Sequence, residues 1–406
     1  MKHRNAYVVY LLTEGLFSLF FYMIITVNMV YQVEVAKLNP LQLVLVGTML
    51  EVMAFVFQVP TGVLADVFSR RWSVIIGILL TGAGYVLEGS VPRFEVIVLS
   101  QLGWGIGSTF IAGAQEAWLA DELGEEHVGR AFLRGAQVGQ VGALIGAVFS
   151  VALASVRLNL AIVTGGVLLM ALSILLVFCM PEHQHPRGMG QERPTWKGMG
   201  ETFTTGARLV RTNPLLLTIV AIPLFAGLAS EGFDRLWTAH FIQDVRVPML
   251  GPLNAVTWFA VIQGGVMILG IVAVELVQRY YKDERAAPRL LFLLSALQIG
   301  GGMLFALAGN FALALGSYLL CAVVRGVINP IYATWLTKNS DGKARATIIS
   351  LSSQLDSVGQ IAGGPGIGVL GTLVSLRAAL LATSALLAPV LLLCARAIRL
   401  SKDDRS

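Results

Sequence analysis

The chain has 406 residues, 56% hydrophobic and 13% charged, with a mean hydropathy of +0.74. A water-soluble domain carries about 25% charged residues, so this composition excludes a soluble globular enzyme and requires a bilayer as the surrounding medium. The formal net charge of +5 follows from how Lys and Arg are placed along the chain and calls for no nucleic acid.

Inside lipid, only helices and closed barrels satisfy their own backbone. The apolar runs are far longer than the ~10-residue alternating strands of a barrel, and a helix needs ~20 apolar residues to cross. An all-α membrane protein of twelve transmembrane helices is therefore predicted. The spans cover 7–32, 41–64, 73–91, 95–119, 131–155, 158–180, 215–240, 254–278, 289–309, 311–336, 346–373 and 377–396. The opening MKHRNAYVVYLL imitates a signal peptide, but Glu14 interrupts it and no clear small-residue cleavage site follows, so it is read as a retained first span. The weakest boundary lies between spans 9 and 10, where only Gly309 and Asn310 break the apolar run.

Basic residues set the orientation. With the N-terminus placed in the cytoplasm, Lys37, Arg93, Arg157, Arg246 and Arg377 fall outside, Arg235 and Arg325 fall within spans, and the rest of the 29 Lys and Arg lie on the cytoplasmic side. Both termini are expected in the cytoplasm, in a multi-pass protein of the cell (inner or plasma) membrane.

Spans 2 and 3 are joined by GVLADVFSRRW, from Gly62 to Trp72. This segment resembles the cytoplasmic loop signature between spans 2 and 3 of the major facilitator superfamily of transporters. Gly62, Leu64, Ala65, Asp66, Arg70 and Arg71 match that signature, while Val67 replaces a usual basic residue and Ser69 a usual glycine. The resemblance implies a conformational latch formed by Gly62, Asp66, Arg70 and Arg71 with Glu116 and Asp121 at the cytoplasmic end of span 4. Asp66 is expected to accept from backbone N–H groups at the start of span 3, where a helix N-terminus favours an anion. The other reading is a solvated loop obeying the positive-inside bias.

Residues 181–213 form the longest polar stretch, with an amphipathic pattern at Trp196, Met199, Phe203, Leu209 and Val210. They are read as a cytoplasmic linker between an N-terminal six-helix half, 1–180, and a C-terminal half, 214–406. The halves echo each other in order. Thr13-Glu14-Gly15-Leu16 returns as Ser230-Glu231-Gly232-Phe233, and Trp118-Leu119 as Trp335-Leu336. Arg130-Ala131 returns as Arg345-Ala346, and Val138-Gly139-Gln140 as Val358-Gly359-Gln360. Two pseudo-symmetric halves with a mid-membrane site between them are the superfamily's architecture.

A charge at bilayer depth costs at least ~2.5–3.5 kcal/mol and marks function by default. The resemblance implies that spans 1, 4, 7 and 10 line the cavity and that spans 3, 6, 9 and 12 face lipid. The lining spans carry Glu14, Glu116, Glu231, Asp234, Arg235 and Arg325, while span 3 has only Glu88, near its external end. Glu14, Glu231, Asp234 and Asp356 are the candidates for proton coupling, since a desolvated carboxylate can bind and release a proton near neutrality. For Glu14 and Glu231 the alternative is a paired structural charge near a helix end. Arg235 is four residues beyond Glu231 and shares its face, as a plain ion pair or as a gate. Arg325 needs a partner, either Asp356 or a substrate anion. Glu51 either binds a cationic substrate or pairs across the contact between halves. Phe17, Phe21, Trp237 and Tyr332 complete the substrate-cavity candidates, since aromatics bind apolar or cationic compounds.

Span 5 keeps Gly135, Gly139, Gly142 and Gly146, and span 11 holds Gly363-Gly364-Pro365-Gly366, so the superfamily's exporter signature of Gly and Pro on span 5 is degenerate here. Gln101 stands where the family often has Arg on span 4. Cys179, Cys321 and Cys394 suggest no disulfide framework, and neither they nor the scattered His3, His127, His183, His185 and His240 suggest a metal site. No enzyme active site and no cofactor beyond a proton gradient are expected. The resemblance is to bacterial drug-efflux members, and implies a monomer in the lipid bilayer that exchanges protons for a small amphipathic, neutral or cationic compound. The alternative is an importer or uniporter of a small solute, including an anion held by Arg325.

Overall fold

The computed structural model describes residues 2–182, 204, 208, 210–248, 255–280, 286–340 and 345–403. The amphipathic pattern expected in the linker falls almost wholly outside these residues, as do His183 and His185. Among the described residues there is no strand.

The first unit contains α1 (Lys2–Glu34), most of α2 (Pro40–Val67), α3 (Arg70–Ser90), α4 (Phe94–Ile111), α5 (Ala114–Leu123), α6 (Glu125–Ala154) and α7 (Leu158–Cys179). The second contains α8 (Pro214–His240), continued by a π-helical turn at Phe241–Val245, then α9 (Ala255–Tyr280), α10 (Ala287–Leu307) and α11 (Phe311–Lys338). It ends with α12 (Arg345–Leu373), α13 (Leu376–Ala385) and α14 (Ala388–Asp403). By contacts the first unit covers 1–38 and 49–198, and the second covers 39–48 and 199–406. The first turns of α2 thus pack with the second unit, where the backbone N–H of Leu41 donates to Thr372 on α12 at 2.9 Å.

Eleven segments among the described residues are long and apolar enough to cross a membrane. The remaining expected span is the continuous helix α12, of 29 residues. It is less apolar because Ser350, Ser352, Ser353, Gln354, Asp356, Ser357 and Gln360 crowd its first half.

Helix ends follow local chemistry. Asn310 stops the apolar run between spans 9 and 10 by accepting from the Leu313 N–H at 2.9 Å, so a two-residue break suffices to start α11. Asn213 accepts from Leu215 and Leu216 at 3.0 Å each, with Pro214 opening α8. Span 4 is not one helix as expected. Gly113 sits at φ +75°, a left-handed conformation that stops α4 and restarts the chain as α5.

The main packing of each unit rests on one glycine-lined crossing. In the first unit, a Cβ on Gly142 or Gly146 of α6 would run into the carbonyl oxygens of Gly15 and Leu19 on α1. In the second, a Cβ on Gly359 or Gly363 of α12 would run into those of Leu224 and Leu228 on α8. Without a driving force from water, close backbone approach is what holds membrane helices together, and the span-5 and span-11 glycines supply it.

Candidate functional site

On α8, Glu231 is 3% exposed, and Arg235, one turn on, donates Nε to its Oε2 at 3.2 Å. Within the same unit Gly47 of α2 lies against this pair. A Cβ there would strike the Glu231 carboxylate and the Arg235 guanidinium. The absent side chain at Gly47 is therefore part of how the buried pair fits.

Asp234 turns to α11, where Arg325 Nη1 donates to its Oδ1 at 2.5 Å. This corrects one expectation: the hydrogen-bonded carboxylate of Arg325 is Asp234, not Asp356. Asp234 and Arg235 are adjacent on α8, so one answers α11 while the other folds back onto Glu231. Asp356 on α12 accepts instead from Gln360 Nε2 at 2.8 Å.

Arg325 and Asp356 border a cavity of about 180 Å³ within the second unit. Ser230, Gln298, Asn329 and Gln360 supply further hydrogen-bonding groups to its wall. Tyr332 lines an adjoining cavity of about 410 Å³, with its hydroxyl on Ser352 Oγ at 2.8 Å. Trp237, a cavity candidate, is packed in a cluster of aromatic rings. It stacks on Tyr318 at 4.5 Å, meets Phe259 edge-on at 5.3 Å, and borders neither of these cavities.

In the first unit, Glu14 accepts from Gln115 Nε2 at 2.7 Å, with Tyr10 nearby on the same helix. Phe17 and Phe21 stack at 5.6 Å, and Phe21 leads to Tyr85 and Trp104. Glu51 is half-buried on α2.

The loop residues come together as follows. Arg70 donates to Asp121 at 2.5 Å, to Asp66 at 3.2 Å and to the Ala117 carbonyl at 3.2 Å. Glu116 is exposed and stands apart from these bonds, near Glu14 and Tyr10. A Cβ at Gly62 would meet nothing within 4 Å, so the structure shows no steric demand for glycine there. Contrary to expectation, Asp66 does not cap α3. Ser69 does, accepting from the Trp72 N–H at 3.0 Å. The anion at that helix N-terminus is Glu182, which accepts from Ser69 Oγ at 2.7 Å and from the Arg71 N–H at 3.2 Å. Arg71 itself donates to the Val177 carbonyl of α7. Glu182 was missed from sequence; the available signal was an acid placed directly after span 6, opposite a basic loop.

Among the described residues, no group of three or more His, Cys, Asp or Glu could hold a metal ion.

The comparisons agree with this architecture. YxaM, an uncharacterized MFS-type transporter of Bacillus subtilis (strain 168), is 23% identical over 361 residues, covering 87% of this chain and 86% of its own. The nucleoside transporter NupG superposes with a TM-score of 0.78 at 14% identity, over 97% of this chain and 99% of its own. A bacterial homolog of the human lysosomal transporter Spinster superposes at 0.76 and 14% identity, over 99% and 98%. Likenesses this distant in sequence establish the fold. Residues 11–364 match the Major Facilitator Superfamily as a family, and the chain belongs to that superfamily of membrane transporters.

Proposed function

We propose that the chain exchanges protons for small organic compounds by alternating access, and that it exports neutral or cationic molecules bearing hydrogen-bonding groups. The observation that carries this reading is Glu231. It is a carboxylate 3% exposed, held by one guanidinium, on the helix whose next turn carries the Asp234–Arg325 pair beside the polar cavity. A proton arriving on Glu231 cancels its attraction for Arg235. Losing that ion pair changes the relative stability of two packings, which is how a local charge event biases a global state. Arg70 with Asp66 and Asp121 would latch one of those states.

The cavity wall supports a neutral or cationic solute over an anion. Arg325 already has Asp234 as counter-charge, whereas the hydrogen bond that Asp356 receives there comes from the neutral Gln360. A small polar molecule also suits the wall of Ser230, Gln298 and Asn329. The structural neighbours include a nucleoside transporter and a POT family transporter in complex with 5-aminolevulinic acid, both associated with polar solutes. A second reading, import or uniport of a small anion, rests on Arg325, whose side chain stays 37% exposed beside the cavity. Both termini are proposed to be cytoplasmic, from the basic-residue bias, in a monomer of the cell membrane.

The test is transport of a labelled compound panel in proteoliposomes with and without an imposed pH gradient. Gradient-driven movement of cationic or neutral compounds supports the exporter. Uptake of anions that ignores the gradient and is lost in Arg325→Gln supports the second reading instead.

A further inference from the structure

The first unit holds a further intramembrane carboxylate, on α3. Glu88 of α3 is 0% exposed, and two other helices, α1 and α4, converge on it. From α1, Gln32 donates Nε2 to Glu88 Oε1 at 2.7 Å and reaches Asn28 Oδ1 at 3.3 Å. From α4, Ser100 Oγ lies 2.9 Å and Gln101 Nε2 lies 3.1 Å from Glu88 Oε2. The Tyr31 hydroxyl donates to the Glu88 backbone carbonyl at 2.9 Å. Gln32 and Gln101 are each 1% exposed, and Ser100 is 2%.

The donors and acceptors do not balance. The amide oxygens Gln32 Oε1 and Gln101 Oε1 are buried without a hydrogen-bond partner among the described residues. Each belongs to an amide whose nitrogen already touches the carboxylate, so both lie within one amide width of Glu88. Ser100 has one hydroxyl hydrogen and two claims on it, Glu88 Oε2 and the Ile97 carbonyl at 2.7 Å. A proton on Glu88 would settle the Ser100 contact but leave both amide oxygens orphaned, at ~1–3 kcal/mol each.

We propose that Glu88, with the side-chain oxygens of Gln32, Gln101, Asn28 and Ser100, forms a binding site for a monovalent hard cation, Na⁺. Such an ion accepts several oxygens at once and neutralises one buried carboxylate. A half-turn of either glutamine's terminal torsion moves its oxygen to where its nitrogen now sits. Divalent Ca²⁺ draws on more oxygen ligands and Mg²⁺ keeps much of its water shell, whereas transition metals select imidazole or thiolate, neither of which is among these ligands. The site does not include Glu14 or Glu231, so it stands or falls apart from the proton-coupling reading.

The experiment is thermal unfolding of the full-length protein in detergent, with NaCl exchanged for choline chloride or KCl at constant ionic strength. It reads binding and needs neither substrate nor transport. The expected result is a melting temperature that rises and saturates with Na⁺ alone. Glu88→Gln removes that dependence, and Gln101→Met, which keeps the carboxylate, weakens apparent Na⁺ affinity by roughly tenfold or more. Equal melting in Na⁺, K⁺ and choline overturns the site and leaves Glu88 a structural acid. Parental Na⁺ dependence in Glu88→Gln also overturns it. Should that variant not fold, unchanged Na⁺ affinity in Gln101→Met overturns it instead.

Discussion

Glu14 and Glu231 open the two sequence repeats in matching places, yet their surroundings differ. Glu14 is held by a neutral group, Gln115. Glu231 is buried against Arg235, with Gly47 leaving the room. The sequence repeat matches the position of the acid, while its compensation differs. An acid held by neutral donors can change protonation while its neighbours stay in place. An acid in an ion pair releases its partner when it does so. The two residues are therefore expected to respond differently to the same substitution.

The largest contrast is in Glu231→Gln, which removes the carboxylate that Arg235 faces in a buried setting. Removing one member of a buried pair destabilises by about 3–5 kcal/mol, so its melting temperature should fall clearly and coupled transport should be lost. The double variant Glu231→Gln with Arg235→Met should recover the melting temperature without recovering transport. Recovery of both would make the pair purely structural. Next is Gly47→Val, which forces a side chain into the Glu231–Arg235 contact. Overpacking of this kind costs about 1–3 kcal/mol, and transport should drop with expression retained. Parental transport in this variant would show that the pair tolerates displacement.

Arg70→Gln removes two partly exposed ion pairs, each worth about 0.2–1 kcal/mol, so stability should move little while the transport rate falls. An unchanged rate would reduce the loop to a solvated turn. The smallest stability effect belongs to Glu14→Gln, which swaps like shapes among neutral partners and should stay within about 0.5 kcal/mol of the parent. Its transport should nevertheless be lost. A melting shift as large as that of Glu231→Gln would erase the contrast between the repeats.

Much of this was legible in the residues. Long apolar runs, the GVLADVFSRRW loop and the repeated Thr/Ser-Glu-Gly carried the fold, because each depends on local sequence. Asn310 was legible only as a break in the apolar run, and its capping of α11 through the Leu313 N–H is what the structure adds. The partner of Arg325 was not legible. Asp234 and Arg235 are neighbours in sequence, and only the packing of α8 on α11 sends one across and the other back. Glu182 escaped notice for the same reason, since its bonds to Ser69 and Arg71 join distant segments. Glu88 was visible as a charge near the end of span 3. Its setting was not, because Gln32 and Gln101 reach it from two other helices.

The most direct test of the central claim uses inside-out vesicles with an acidic lumen, read by a pH-sensitive dye as candidate compounds are added. The account predicts proton efflux triggered by a neutral or cationic compound, abolished in Glu231→Gln and in Glu14→Gln. Compound movement without proton movement in the parent, or proton efflux that persists in both variants, would contradict it.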